Sequence, residues 1–199
     1  MLGRHTQQNI MPLTIPNLLT WLRILLIPLI VAIFYMPAHW FSPLEKNLVA
    51  AIIFAVAALT DWLDGYLART LNQTSAFGAF LDPVADKLMV AAALILLVEL
   101  GRVDAIIALI IIGREIAISA LREWMATIGQ AKSVAVSFLG KIKTGMQMAA
   151  ILLLFYRDTL WHINTQIVGT WLIYIAALLT LWSMAYYLKM ALPQLFKRA

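Results

Sequence analysis

Four aspartates, Asp61, Asp64, Asp82 and Asp86, interrupt a strongly apolar chain. They fall in two runs, Asp61-Trp62-Leu63-Asp64-Gly65-Tyr66-Leu67-Ala68-Arg69 and Gly78-Ala79-Phe80-Leu81-Asp82-Pro83-Val84-Ala85-Asp86. On an α-helix, positions i, i+3, i+4 and i+7 share a face, so Asp61, Asp64 or Gly65, and Ala68 make one stripe. Gly78, Asp82 and Asp86 make a second. Each stripe combines carboxylates with very small residues. Two helices bringing these stripes together would build a four-carboxylate cage beside a smooth cleft. Oxygen donors without His or Cys suit magnesium, manganese or calcium. Magnesium completes its shell with water and substrate phosphate, which points to a phosphate-bearing substrate. Two metals can clamp a pyrophosphate, and a carboxylate left partly free can take a proton from an acceptor hydroxyl.

The elements that must position these residues are membrane helices. The chain has 199 residues, 63% hydrophobic and 13% charged, where a soluble domain is nearer half apolar and a quarter charged. A carboxylate at the centre of a membrane helix costs about 2.5–3.5 kcal/mol, so four cost on the order of 10 kcal/mol unless something offsets them. Six apolar segments, about 18–36, 47–66, 82–100, 104–124, 143–157 and 168–189, predict an all-α integral membrane protein with six transmembrane helices. The start of the fifth is the least defined. The length fits a single membrane domain over 1–199, with 1–17 as a cytoplasmic juxtamembrane segment. With the N-terminus in the cytoplasm, all but Lys46, Arg102 and Arg157 of the 15 Lys and Arg lie on the inner side. That bias places both termini in the cytoplasm. The net charge of +5 suits an anionic cytoplasmic leaflet, and no nucleic-acid partner is expected. Cysteine is absent, which excludes disulfides and thiolate chemistry, and His5, His39 and His162 are far from the aspartates. Residues 1–16 do not read as a cleavable signal peptide.

Two other readings compete for such carboxylates: structural ion pairs, or the ion path of a cation or proton transporter. Gly65, Ala68 and Gly78 count against both, because neither needs small residues on the same stripes. The full pattern, Asp-x2-Asp-Gly-x2-Ala-Arg-x8-Gly-x3-Asp-x3-Asp, resembles the signature of the CDP-alcohol phosphotransferases at every fixed position. The resemblance implies six membrane helices, a CDP-linked donor, a divalent metal (Mg2+ or Mn2+) and a homodimer. By the same resemblance Asp61, Asp64 and Asp82 are metal ligands, and Asp86 is the general base and a further ligand. Gly65, Ala68, Arg69 and Gly78, with Asp61, would form the CDP site. Asn17 and Thr20, one turn apart, either cap the first helix or bond the nucleotide, and the resemblance favours the nucleotide.

Further runs, Ile15-Pro16-Asn17-Leu18-Leu19-Thr20-Trp21-Leu22-Arg23, Phe80 to Lys87, Gly113-Arg114-Glu115 with Leu121-Arg122, and Gly140-Lys141-Ile142-Lys143-Thr144, resemble the bacterial phosphatidylglycerophosphate synthases. This implies transfer of a phosphatidyl group from CDP-diacylglycerol to sn-glycerol 3-phosphate at the bacterial cytoplasmic (inner) membrane, with the site facing the cytoplasm. The physical reading agrees. A phosphate dianion approaching four carboxylates needs cations, and Arg114, Arg122, Lys132, Lys141 and Lys143 are available. The alternatives are membrane anchoring for Lys132 and, for Arg114, a pair with Glu115 or an aspartate. Another acceptor (inositol phosphate, serine or phosphatidylglycerol) is the nearest rival function.

Overall fold

In the computed structural model, the described residues are 14–71, 76–129 and 138–196. They form six helices: α1 (Ile15–Tyr35), α2 (Pro43–Thr70), α3 (Ala76–Glu99), α4 (Ala105–Thr127), α5 (Phe138–Tyr156) and α6 (Thr165–Phe196). Strands β1 (Thr159–Leu160) and β2 (Ile163–Asn164) form a small antiparallel hairpin before α6.

Local chemistry sets the helix starts. Thr14 caps α1, its hydroxyl accepting from the Asn17 N–H at 3.4 Å, with Pro16 in the first turn where a missing donor costs nothing. Residues 15–17 of the expected juxtamembrane segment are therefore helical. Ser42 and Glu45 close a reciprocal capping box on α2, with Pro43 at its first position. Gly101, at φ +65, reverses the chain after α3 in a conformation that favours glycine. The hairpin was not legible in the sequence. Its two turn residues, Trp161 and His162, both have positive φ, as a tight two-residue reversal between strands demands.

α1 packs on α2 and α3, α4 on α3 and α6, and α5 on α6 and α2. Phe54, Leu94, Leu97, Ile111, Ile151, Leu154 and Ile173 are buried where these helices meet. Small residues let the backbones approach, as helix pairs in lipid require. Ala50, Ala57 and Ala150 are fully buried, and a Cβ added at Gly169 would lie 2.8 Å from Leu154 Cγ. The outer surface is apolar too: Ile106 and Leu109 are each 71% exposed, which suits contact with lipid rather than water.

Three helices, α1, α2 over Pro43–Leu67 and α6 over Thr165–Leu192, are long and apolar enough to cross a membrane by length and composition. Charges break the apolar stretches of the others: Asp82, Asp86 and Lys87 in α3, Arg114, Glu115 and Arg122 in α4. α2 has 28 residues, about 42 Å, against about 30 Å of hydrocarbon. Counted from its charged first turn at Glu45 and Lys46, about 20 residues bring the crossing to its end near Gly65. The first two aspartates thus lie in the last turns of the span, where insertion costs less than at mid-membrane.

Arg102 pins the opposite end. Its Nη1 donates to the Leu154 and Phe155 carbonyls, each at 3.0 Å, and its Nη2 to Asn47 Oδ1 at 2.6 Å. It thereby satisfies orphan carbonyls at the end of α5 and ties that end to α2. Burial, and then the charge of Arg157, lower its pKa to about 10, so it stays charged at neutral pH. Arg102→Leu is expected to cost about 2 kcal/mol, the scale of hydrogen bonds to a charged group, and Asn47→Ala about half that. Thermal unfolding in detergent checks both.

Candidate active site

The two aspartate stripes do meet, but around an arginine from α1. Asp61 and Asp64 lie on α2, and Asp82 and Asp86 on α3. The Arg23 side chain is fully buried between them. Its Nη1 lies 3.1 Å from Asp61 Oδ1 and donates to Asp86 Oδ1, while Nη2 donates to Asp64 Oδ2. One turn earlier on α1, Thr20 Oγ1 lies 2.6 Å from Asp82 Oδ1. All four carboxylates are therefore held by two side chains of α1.

The expected four-carboxylate cage is thus corrected in one respect. Among the described residues, no group of three His, Cys, Asp or Glu converges by itself in a metal-holding arrangement. Like charges repel, and the guanidinium stands where they would otherwise crowd together. The donor chemistry still suits a hard cation. Three of the carboxylates contact Arg23 and the fourth contacts Thr20, so even with Lys87 next to Asp86 in the chain the net charge is negative, and every donor is oxygen. The side chains of Asp61 and Asp86 are 42% and 43% exposed, whereas that of Asp64, at 5%, is buried against Arg23.

Arg23 had no assigned site role in the sequence reading. Its signal was there: an arginine in an apolar run, three residues after Thr20 and on the face buried with Pro16, Asn17 and Thr20. Thr14, not Asn17 or Thr20, caps α1, so the capping alternative for those two residues is removed. A Cβ added at Gly65 would meet nothing within 4 Å, so the space beside this glycine is open, and Gly78 is buried. The side chains of Ala68, Arg69 and Lys141, and the whole of Lys132, lie outside the described residues.

The remaining cations gather on α4 and α5. Glu115 Oε1 accepts from Lys143 Nζ at 2.6 Å and from Arg114 Nη1 at 3.0 Å. Arg114 Nη2 donates to Ser183 Oγ on α6 at 3.0 Å. The guanidinium carbons of Arg114 and Arg122 lie 5.9 and 5.3 Å from the centre of the Tyr187 ring, within cation–π range. The two arginines share one face, as their spacing predicts. Arg114 does take Glu115 as its partner, the alternative noted from the sequence.

A cleft of about 210 Å³ joins the two clusters, lined by Asp86, Lys87, Val90, Glu115, Thr144 and Gln147. Lys87, also unassigned by the sequence reading, donates from Nζ to Ser119 Oγ on α4. An apolar groove of about 140 Å³ between α3 and α4 adjoins it, sharing Lys87, Val90 and Glu115 and adding Leu88, Ala91, Ile112 and Ile116. The cleft thus sets the carboxylates of Asp86 and Glu115 and the ammonium of Lys87 around one space, with an apolar groove beside it.

The family model for CDP-alcohol phosphatidyltransferases matches residues 13–182. The chain belongs to this family. Among curated proteins it is 51% identical over 183 residues to the CDP-diacylglycerol–glycerol-3-phosphate 3-phosphatidyltransferase of Shigella flexneri serotype 5b (strain 8401), covering 91% of this chain and 96% of that protein. The protein of that name from Escherichia coli (strain K12) has the same identity and coverage. The one from Salmonella choleraesuis (strain SC-B67) is 50% identical, also over 91% and 96% of the two chains. The four aspartates, Asn17, Thr20, Arg23 and the basic cluster all fall inside the region matched by the family model.

Removing Arg23 leaves Asp64 buried without its cation. Breaking one partner of a buried pair typically costs about 3–5 kcal/mol, so Arg23→Met should strongly lower the melting temperature measured in chelator. Thr20→Val, which leaves one buried Asp82 contact unmade, should cost about 1 kcal/mol in the same measurement.

Proposed function

We propose that the protein transfers a phosphatidyl group from CDP-diacylglycerol to sn-glycerol 3-phosphate, giving phosphatidylglycerophosphate and CMP. The observation that carries this reading is the cleft in which Asp86 and Lys87 both take part. Asp86 offers a carboxylate able to take a proton from an attacking hydroxyl, and Lys87 a cation able to meet a second phosphate. The relatives named for this activity support the same choice of donor and acceptor.

Asp86 acts as general base on the C1 hydroxyl of glycerol 3-phosphate. The freed oxygen attacks the phosphorus attached to diacylglycerol, a new P–O bond forms, and the P–O bond to CMP breaks. Asp61, Asp64, Asp82 and Asp86 hold the divalent metal, Mg2+ or Mn2+, that the family uses. When bound, that metal neutralises charge on the pyrophosphate and on the departing CMP. Arg23 keeps the carboxylates apart and oriented. The CDP moiety lies in the open space beside Gly65, with Ala68, Arg69, Gly78, Asn17, Thr20 and Asp61 around it. Lys87, with Arg114, Arg122, Lys132, Lys141 and Lys143, forms the cationic side that receives the acceptor phosphate. The apolar groove between α3 and α4 suits an acyl chain leaving sideways into lipid. The reading places all six helices across the bacterial cytoplasmic membrane, both termini and the active site on the cytoplasmic side, and a homodimer as the working unit. The basic residues clustered toward one side of the predicted topology and the apolar outer surface support that placement.

The deciding assay follows CMP release from CDP-diacylglycerol with each candidate acceptor. Glycerol 3-phosphate should be used, and serine, inositol phosphate and phosphatidylglycerol should not. Asp86→Asn should lower kcat by about 10²–10⁴-fold, the usual worth of a positioned base, and near-normal turnover would remove that role. Chelation with EDTA should abolish CMP release, and added Mg2+ or Mn2+ should restore it.

A further inference from the structure

Gln147 has no part in the chemistry above, yet its side-chain oxygen is left unsatisfied in the cleft that Asp86 lines. It lies on α5, is 2% exposed and lines the cleft that contains Asp86 and Lys87. Its Oε1 is buried without a hydrogen-bond partner. A carbonyl oxygen buried and unpaired in this way is destabilising unless something in the cleft completes it. A hydroxyl can serve the amide in either orientation, because it donates to the carbonyl end and accepts from the amino end.

The surroundings say what would complete it. Glu115 is already engaged by Lys143 and Arg114, so its carboxylate does not turn toward the amide for a proton. Lys87 donates to Ser119. Pro83 and Val90 offer no polar side-chain atom, and Thr144 already has an interaction of its own. A neutral hydroxyl meets that need, because it can donate to the carbonyl without bringing further charge among Asp86, Lys87 and Glu115. It would sit in the cleft that Gln147 shares with Asp86 and Lys87. In the acceptor proposed above, the hydroxyl so placed is the one that does not react, on the carbon between the attacking oxygen and the phosphate-bearing carbon.

We propose that Gln147 recognises the central, unreacting hydroxyl of a phosphorylated polyol acceptor and so sets acceptor specificity. This rests on the transferase reading, and it adds the residue that distinguishes a triol phosphate from a simple hydroxyalkyl phosphate.

The test compares sn-glycerol 3-phosphate with 3-hydroxypropyl phosphate, which lacks only the central hydroxyl, in the full-length protein in detergent with CDP-diacylglycerol as donor. The native protein should favour glycerol 3-phosphate in kcat/KM by about tenfold or more, because the analogue leaves the buried amide unpaired. Gln147→Met keeps the shape and removes the polar atoms. It should bring the ratio toward one, leave the KM for CDP-diacylglycerol in place, and hold or raise the melting temperature. A structural glutamine would behave the opposite way on that last measurement. Gln147→Leu serves as a second variant with the same expected ratio. Undiminished discrimination in both variants, no discrimination by the native protein, or a fall in melting temperature with an unchanged ratio would each overturn the proposal. Absence of CMP release from the native protein with either acceptor would instead overturn the transferase reading itself.

Discussion

The Arg23 guanidinium is the constraint on which the arrangement of this site depends. Carboxylates from α2 and α3 converge on it, and without a cation between them they would repel. At an effective dielectric near 20, two unit charges about 4 Å apart interact by about 4 kcal/mol, so several such repulsions would exceed the stability of an ordinary domain interface. Arg23 reverses the sign of these interactions. It also makes α1 part of the active site rather than a simple membrane anchor. The cap at Thr14 and the proline at position 16 set where α1 begins, and with that where Thr20 and Arg23 meet the carboxylates.

Charge is graded across the site. Asp61, Asp64 and Asp86 share one buried cation, which leaves negative charge over for a metal. On the α4 and α5 side the balance reverses: Glu115 takes two cations, Arg114 and Lys143, so that cluster is positive as a whole. Glu115 holds these two basic side chains in fixed positions at the cost of part of their charge. The cleft touches both clusters, at Asp86 and at Glu115, with Lys87 as the cation in its wall, which suits an acceptor that carries both a hydroxyl and a phosphate.

The placement of the site at the helix ends reconciles this charge with the bilayer. α2 is longer than the hydrocarbon is thick, so a crossing that begins at its charged first turn ends near the aspartates. A donor whose head group is a pyrophosphate and whose tails are acyl chains needs a site at such a boundary. The far ends of the helices are tied instead by Arg102, bonded to the α5 carbonyls and Asn47.

The helical class, the six apolar segments and the two aspartate stripes were legible in the sequence, because helix periodicity and the scarcity of charge in lipid leave few alternatives. The eight fixed motif positions, Asp61 to Asp86, sufficed to identify the family. Helix ends were less legible: α2 runs through the motif to Thr70 and α5 starts at Phe138, since hydropathy ends before the hydrogen-bonded turns do. The hairpin at 159–164 depends on two residues with positive φ that composition does not announce. Only the tertiary structure showed that Arg23, 41 residues before Asp64, stands between the carboxylates, and that Lys87 and Gln147 share a cleft with Asp86. Periodicity along one helix says which side chains share a face. It cannot say which other helix that face will meet, and a buried charge takes its partner from there.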